Sequence, residues 1–161
     1  MEITFVKVSF EDMPAIQQMY RRAFKPIYLR YHDDETDPYL ESLASLQKKA
    51  QRVGSEYFFC DSDGVRVGMI RVISDHSTKE ARISPMCVLP EFQGKGFAQA
   101  ILIGIEQRFS DIKTWYLDTI AEEPKLLHLY KKVGYQVVAE QHKEIKPGMN
   151  LAYFIKYDAR A

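Results

Sequence analysis

Residues 88–109 read Val-Leu-Pro-Glu-Phe-Gln-Gly-Lys-Gly-Phe-Ala-Gln-Ala-Ile-Leu-Ile-Gly-Ile-Glu-Gln-Arg-Phe, and they decide the architecture. The apolar run Met86-Cys87-Val88 ends a strand. Pro90 then opens a short loop carrying Gly94 and Gly96. Beyond it Ala98, Ile101, Leu102, Ile105 and Phe109 recur at the spacing of one helix face. A strand feeding a glycine turn and a helix start suits an anion, because glycine lets the backbone come close and the first helical turn directs unpaired N–H groups and the positive dipole end outward. The expected ligand is a phosphate or pyrophosphate. The P-loop pattern fails, since Lys95 is followed by Gly96 and not by Ser or Thr. The dinucleotide fingerprint fails as well: Gln99 stands where its third glycine belongs, and the stretch comes late, after a run of strands.

Upstream of the loop, Lys79 to Leu89 reads as a strand interrupted by Pro85, which marks an edge or a bulge because proline cannot donate to a ladder. Before it, Glu56–Asp61 and Val65–Ile73 flank Asp63-Gly64, a two-residue hairpin signal. The chain begins with a strand over 3–8. A helix follows, capped by Ser9 or Asp12, with Pro14 in its first turn and Met13, Ile16, Tyr20 and Phe24 buried. Pro26 ends that helix, and 25–37 is a polar, tyrosine-bearing connection. Asp37 then caps a second helix with Pro38 first, lined by Tyr39, Leu43, Leu46, Ala50 and Val53 and stopped by Gly54.

Downstream, Thr114–Thr119 reads as a strand. Pro124 starts a helix with Leu126, Leu129, Tyr130 and Val133 inward, ended by Gly134. Tyr135–Gln141 and Asn150–Tyr157 are the last strands, joined through Lys146-Pro147-Gly148. The fold class expected is α/β: a mixed, mostly antiparallel central sheet of about seven strands with helices on both faces.

At 161 residues, with 46% hydrophobic and 27% charged residues, the chain reads as one globular, soluble domain spanning 1–161. Acidic and basic residues balance at 22 each, which excludes nucleic-acid binding by bulk charge. No apolar stretch reaches membrane-spanning length, and the N-terminus lacks the apolar block of a signal peptide. Cys60 and Cys87 lie in apolar runs and read as small buried hydrophobes, so no disulfide framework is expected and the compartment expected is the cytoplasm.

The residues Gln93-Gly94-Lys95-Gly96-Phe97-Ala98, preceded by Val88-Leu89-Pro90, fit Gln/Arg-x-x-Gly-x-Gly/Ala. With Leu126-Leu127-His128-Leu129-Tyr130 and Val133-Gly134-Tyr135 further on, they resemble the two signature blocks of the GNAT family of N-acetyltransferases. The element order over residues 3–157 fits as well. The resemblance implies the acyl-CoA N-acyltransferase fold, acetyl-CoA as co-substrate, no metal, and direct transfer of acetyl to a primary amine of a small molecule or peptide. It implies no nucleic-acid or membrane partner, and a homodimer is one possible assembly. It assigns Gln93, Gly94, Lys95, Gly96, Phe97 and Ala98 to the cofactor loop, the main chain of Met86, Cys87 and Val88 to the pantetheine arm, and Tyr130 to the cofactor site and the general acid. It also assigns Glu123 to the cofactor site, at the position where the family often has an asparagine that contacts the cofactor arm, while Leu126 stands where a small residue is common. The glutamate that many members carry before the loop is absent from Ile83-Ser84-Pro85-Met86.

Amine acetylation must polarise a thioester, deprotonate an ammonium and protonate a thiolate. A phenol of pKa about 10 stays protonated near neutral pH and donates to a thiolate of pKa about 8.5. The Val88 N–H is the candidate donor to the thioester oxygen. For the base, Asp118, Glu123, His32, His76 and the run Asp33-Asp34-Glu35 are candidates, as is a water chain. Asp33, Asp34, Glu35 and Asp37 favour a cationic acceptor or simply cap and solvate a loop. Tyr28, Tyr31 and Tyr39 line the pocket or pack. By spacing alone Tyr130 reads as a packing residue, and its acid role comes from the resemblance; His128 reads as surface. Two other readings stand open: a non-catalytic acyl-CoA-binding or regulatory protein on the same scaffold, and a nucleotide-binding module.

Overall fold

Successive strand residues must face opposite sides of a sheet. Tyr57 and Phe59 accordingly join one core cluster and Phe58 and Cys60 the other. The structure, a computed structural model, describes residues 1–158. Seven strands form its sheet among the described residues: β1 (Thr4–Lys7), β2 (Ser55–Ser62), β3 (Val65–Asp75), β4 (Glu80–Val88), β5 (Thr114–Ile120), β6 (Gln136–Lys146) and β7 (Met149–Tyr157). Their order across the sheet is β1-β2-β3-β4-β5-β7-β6. All neighbours are antiparallel except β4 and β5, which are parallel. The mixed, mostly antiparallel seven-stranded sheet expected from the sequence is therefore the one observed.

One face is covered by α1 (Met13–Ala23) and α3 (Leu43–Ala50), through Met13, Ile16, Met19, Tyr20 and Leu46 against Tyr57, Phe59 and Met69. The other carries α4 (Phe97–Arg108) and α5 (Pro124–Lys132), with Ile101, Leu102, Ile105 and Tyr130 packed against Ile70, Trp115, Leu117 and Phe154. Phe109 is buried but lies one residue past the end of α4. Among the described residues no helix is long and apolar enough to cross a membrane.

Several local readings are corrected. Pro26 does not lead into a structureless connection: it sits in the first turn of a short helix, α2 (Lys25–Tyr31). Proline is tolerated there because a first-turn N–H has no helical partner to lose. Asp37 caps a 3-10 turn over Pro38–Leu40 by accepting from the Tyr39 N–H. The helix itself starts later, at a Ser42 whose hydroxyl accepts from the Ser45 N–H. Tyr39 is thus off the helix, and Val53 is 96% exposed instead of lining its face. Neither Ser9 nor Asp12 caps α1 with its side chain, because the Ser9 hydroxyl donates to the Asp12 carboxylate instead. The sixth strand runs five residues beyond its expected end at Gln141.

Candidate active site

The sheet comes apart between β4 and β5. Their parallel pairing covers only Glu80–Arg82 against Thr114–Tyr116. Beyond it β5 stays paired with β7 to Ile120, while β4 stays paired with β3 to Val88. The cause lies on β4. Ile70 pairs with Met86 and Val72 with Ile83, so the single residue Arg71 faces both Ser84 and Pro85. This is the bulge expected at Pro85, and a bulge bends the strand that carries it.

The fork that results is lined by main-chain groups. Leu89 donates its N–H to the Val67 carbonyl at 2.8 Å, which makes Leu89–Val67 a hydrogen-bonded pair of the antiparallel ladder. Pairs of that kind alternate with non-bonded ones. Val88 and Met86 therefore turn their N–H and C=O groups away from β3, into the fork. Cys87 is turned to β3 instead, and its thiol is buried on the α1 side. Burial pushes that thiol up to about 12, which leaves it inert near neutral pH.

The fork opens on the glycine loop. Gln93 reaches back and donates its amide to the Val88 carbonyl at 2.9 Å, fixing the loop to the strand end. Gly94 and Gly96 have φ of 75° and 88°, and a Cβ on either would point into open space. Glycine is required there by conformation, not by crowding. Gly96 is the N-cap of α4, whose first backbone bond runs from the Ala100 N–H to the Gly96 carbonyl. The N–H groups of Phe97, Ala98 and Gln99 are left without helical partners. Gln93 to Gly96 are all exposed. An exposed glycine loop ahead of a twelve-residue helix, joined to a fork lined with amide groups, fits a pyrophosphate followed by an amide-bearing arm.

Tyr130 is buried on the inner side of α5, on the same face of the sheet as α4. Its ring packs against Tyr135 and Phe154. Burial first, and then the negative charge of Asp118, push its phenol up to about 12. Asp118 lies on β5 opposite Tyr153 of β7, and its carboxylate accepts from Arg82 of β4. That ion pair joins the two banks where the fork begins.

A second set of contacts ties the α1–α2 segment to both banks. Arg22 donates to Glu91, in the loop after β4, at 2.7 Å. Arg30 and Tyr31 of α2 both donate to Glu123, in the turn between β5 and α5, the tyrosine at 2.6 Å. Burial alone raises the Glu123 carboxyl, but these two bonds outweigh it and hold it below the usual carboxylate range. Lys146 donates to the His32 carbonyl at 3.2 Å, which brings the β6–β7 hairpin against the end of α2.

The base candidates separate on this geometry. His76 lies at the opposite end of the β3–β4 hairpin from Val88, bonded to Asp111 and stacked on Phe109. His32 closes α2 in a left-handed conformation and is exposed. Asp33 accepts from the Glu35 and Thr36 N–H groups and the Thr36 hydroxyl, and Asp34 accepts from the Tyr28 hydroxyl at 2.5 Å. Glu123 is taken by α2. Asp118 is the candidate beside both the fork and Tyr130. His128 is exposed, as expected. Sequence reasoning missed Arg22, Arg30 and Arg82, because lone arginines at no helical or strand period carry no local signal.

Residues 13–135 match the model of the acetyltransferase (GNAT) family. The chain is 26% identical over 134 residues to spermidine N(1)-acetyltransferase of Escherichia coli strain K12, covering 81% of this chain and 70% of that protein. Its fold is similar to the crystal structure of spermidine N-acetyltransferase from Vibrio cholerae in complex with CoA and spermine, with a TM-score of 0.76 at 20% identity over 99% of this chain and 97% of that one. The PaiA N-acetyltransferase of Thermoplasma acidophilum in complex with coenzyme A gives a TM-score of 0.72 at 19% identity, over 98% and 100% of the two chains.

Proposed function

Since the chain belongs to the acetyltransferase (GNAT) family, we propose that it takes acetyl-CoA into the β4–β5 fork and passes the acetyl group directly to a primary amine of a small molecule or peptide. Residues 1–161 then act as one N-acetyltransferase domain, working in the cytoplasm and without a metal. The observation that carries this reading is the continuity of the site: main-chain groups of Met86 and Val88 aimed into the fork, and the fork ending at the Gly94–Gly96 loop and the start of α4.

Bound acetyl-CoA supplies an acyl group activated as a thioester. The N–H groups from Gly94 to Ala98 hold its pyrophosphate at the positive end of the α4 dipole. Met86 and Val88 take the pantetheine amides as an added strand, and Cys87 holds the same strand to β3. The Val88 N–H donates to the carbonyl oxygen as that oxygen gains negative charge. Gln93 keeps this strand end in place through the Val88 carbonyl. The acceptor ammonium first gives a proton to water to expose its lone pair. As the C–N bond forms and the C–S bond breaks, the nitrogen releases its second proton to water, while Tyr130 gives its proton to the sulfur and regains one from solvent. With its pKa pushed to about 12, the phenol is protonated throughout the neutral range and is ready to donate. Glu123 contributes by holding α2 over the fork.

The test is thiol release from acetyl-CoA across a panel of amines, with thermal stabilisation by acetyl-CoA measured in parallel. Acetyl-CoA should raise Tm, and at least one amine should release thiol. Tyr130→Phe should lower kcat by about 100-fold or more, in the range typical of a lost general acid, with acetyl-CoA affinity changed little. Unchanged turnover would remove Tyr130 from the acid role. Stabilisation by ATP or NAD but not by acetyl-CoA would overturn the whole reading.

A further inference from the structure

A cleft of about 350 Å³ opens beside the fork, lined in part by Arg82, Tyr116, Gln141, Tyr153 and Ile155. The strand register puts most of these on one face. Arg82 pairs with Tyr116, Tyr116 with Ile155, and Asp118 with Tyr153. On β5, Trp115 and Leu117 belong to the core under α4 and α5, so their alternates Tyr116 and Asp118 face the other way. The cleft and Tyr130 therefore lie on opposite faces of the sheet with the fork between them. β6 contributes through an irregularity: a single residue lies between Ala152 and Phe154 on β7, whereas four lie between their partners His142 and Val137 on β6, and Val138 and Gln141 from that excess line the cleft.

We propose that this cleft seats the acceptor, that Asp118 anchors its ammonium group, and that the Arg82 guanidinium stands in for that ammonium while the site is free. The inference rests on the N-acetyltransferase reading and assigns its acceptor subsite. Arg82 donates to the Asp118 carboxylate from the bank across the fork. The side chains are 44% and 22% exposed, so the pair contributes little to stability and exchanges readily for an incoming cation. Glu80 lies two residues before Arg82 on the same face of β4 and acts on the Tyr116 hydroxyl at the outer end of the cleft, so a displaced guanidinium has a second carboxylate within reach. Of the carboxylates on the 33–37 segment and the β5–α5 turn, Asp33 and Asp37 accept from turn N–H groups, Asp34 from Tyr28, and Glu123 from α2. Tyr116 and Tyr153 supply flat walls for the stem of the amine and π-faces for its charge. An acceptor with one ammonium group on a compact stem satisfies this site. A long polycation has to leave its further charges near Arg82.

The experiment measures acceptor KM, acceptor binding to the CoA complex by calorimetry, and acetyl-CoA affinity. It compares the wild-type chain, Asp118→Asn and Arg82→Gln, using the panel amine with the highest thiol release. Asp118→Asn should raise acceptor KM and Kd by about tenfold or more, the usual effect of losing a charged hydrogen bond, with acetyl-CoA affinity and Tm unchanged. Arg82→Gln should lower both acceptor constants, because the internal competitor is gone. An unchanged acceptor Kd in Asp118→Asn, or a weaker acceptor in Arg82→Gln, would overturn the inference while leaving acetyl transfer intact. A wild-type chain that releases no thiol with any amine would overturn the acetyltransferase reading itself.

Discussion

Gly68 on β3 shows how closely the fork depends on single atoms. It lies opposite Val88, and a Cβ built on it would come within 2.3 Å of the Cys87 carbonyl oxygen. That oxygen belongs to the ladder holding β4, so it cannot retreat without moving the Met86–Val88 main chain. Gly68→Ala should destabilise the protein by about 2 kcal/mol, in the range of overpacked cores, and should weaken acetyl-CoA binding in the folded fraction. Urea denaturation and calorimetry check the two effects, and a variant as stable as the parent would show that the strands separate freely. Gly94 and Gly96 make a contrasting pair, with φ of 75° and 88° and open space around them. Their role was legible in the sequence because the turn they form is local. That of Gly68 was not, because what crowds it comes from a strand nineteen residues further on.

At the scale of elements, α2 is the piece the sequence concealed. It buries no residue fully, so residues 25–31 present no apolar stripe to mark a helix. Its position is set by partners far along the chain, above all by Glu123, which accepts from both Arg30 and Tyr31. The elements with strong stripes, α1, α4 and α5, were readable because their packing residues recur at helical spacing. The fork was half readable: Pro85 announced a bulge, but the bank it separates from is determined only by the sheet. Glu123→Gln keeps the shape and removes the charge. It should speed amide exchange in residues 28–32 several-fold, raise acceptor KM, and lower global stability by less than about 1 kcal/mol, since Arg30 is 54% exposed. Amide exchange unchanged in α2 would mean that these bonds do not hold the helix to the fork.

The whole molecule adds what no segment contains. Periodicity supplies strands but not their neighbours, and the insertion of β7 between β5 and β6 follows from the family resemblance, not from any local pattern. The layering has a consequence for stability. Sandwiching the sheet between two helical layers buries weak acids that are neutral at ordinary pH. Burial pushes Cys87 up to about 12 from 9.0, and Tyr57 and Tyr130 up to about 12 from 10.0. Cys60 and Tyr20 are also raised by burial. In the unfolded chain these groups lose their protons at their ordinary values, so above about pH 9 the unfolded state holds fewer protons than the native one. The stability from the raised pKa values is thus fully present below pH 9. It falls as pH rises, first with the thiols and then, beyond about pH 10, with the phenols. Unfolding free energy should drop by on the order of 4 kcal/mol between pH 8 and pH 10.5, measured by urea denaturation at each pH. Cys87→Ala should flatten the slope between pH 9 and 10 by roughly 1 kcal/mol per unit. Over the same range Tyr130 stays protonated, so a fall in kcat at alkaline pH should track unfolding and not titration of the acid. A basic limb in kcat below pH 10, with the protein still folded, would place the proton donor on another group.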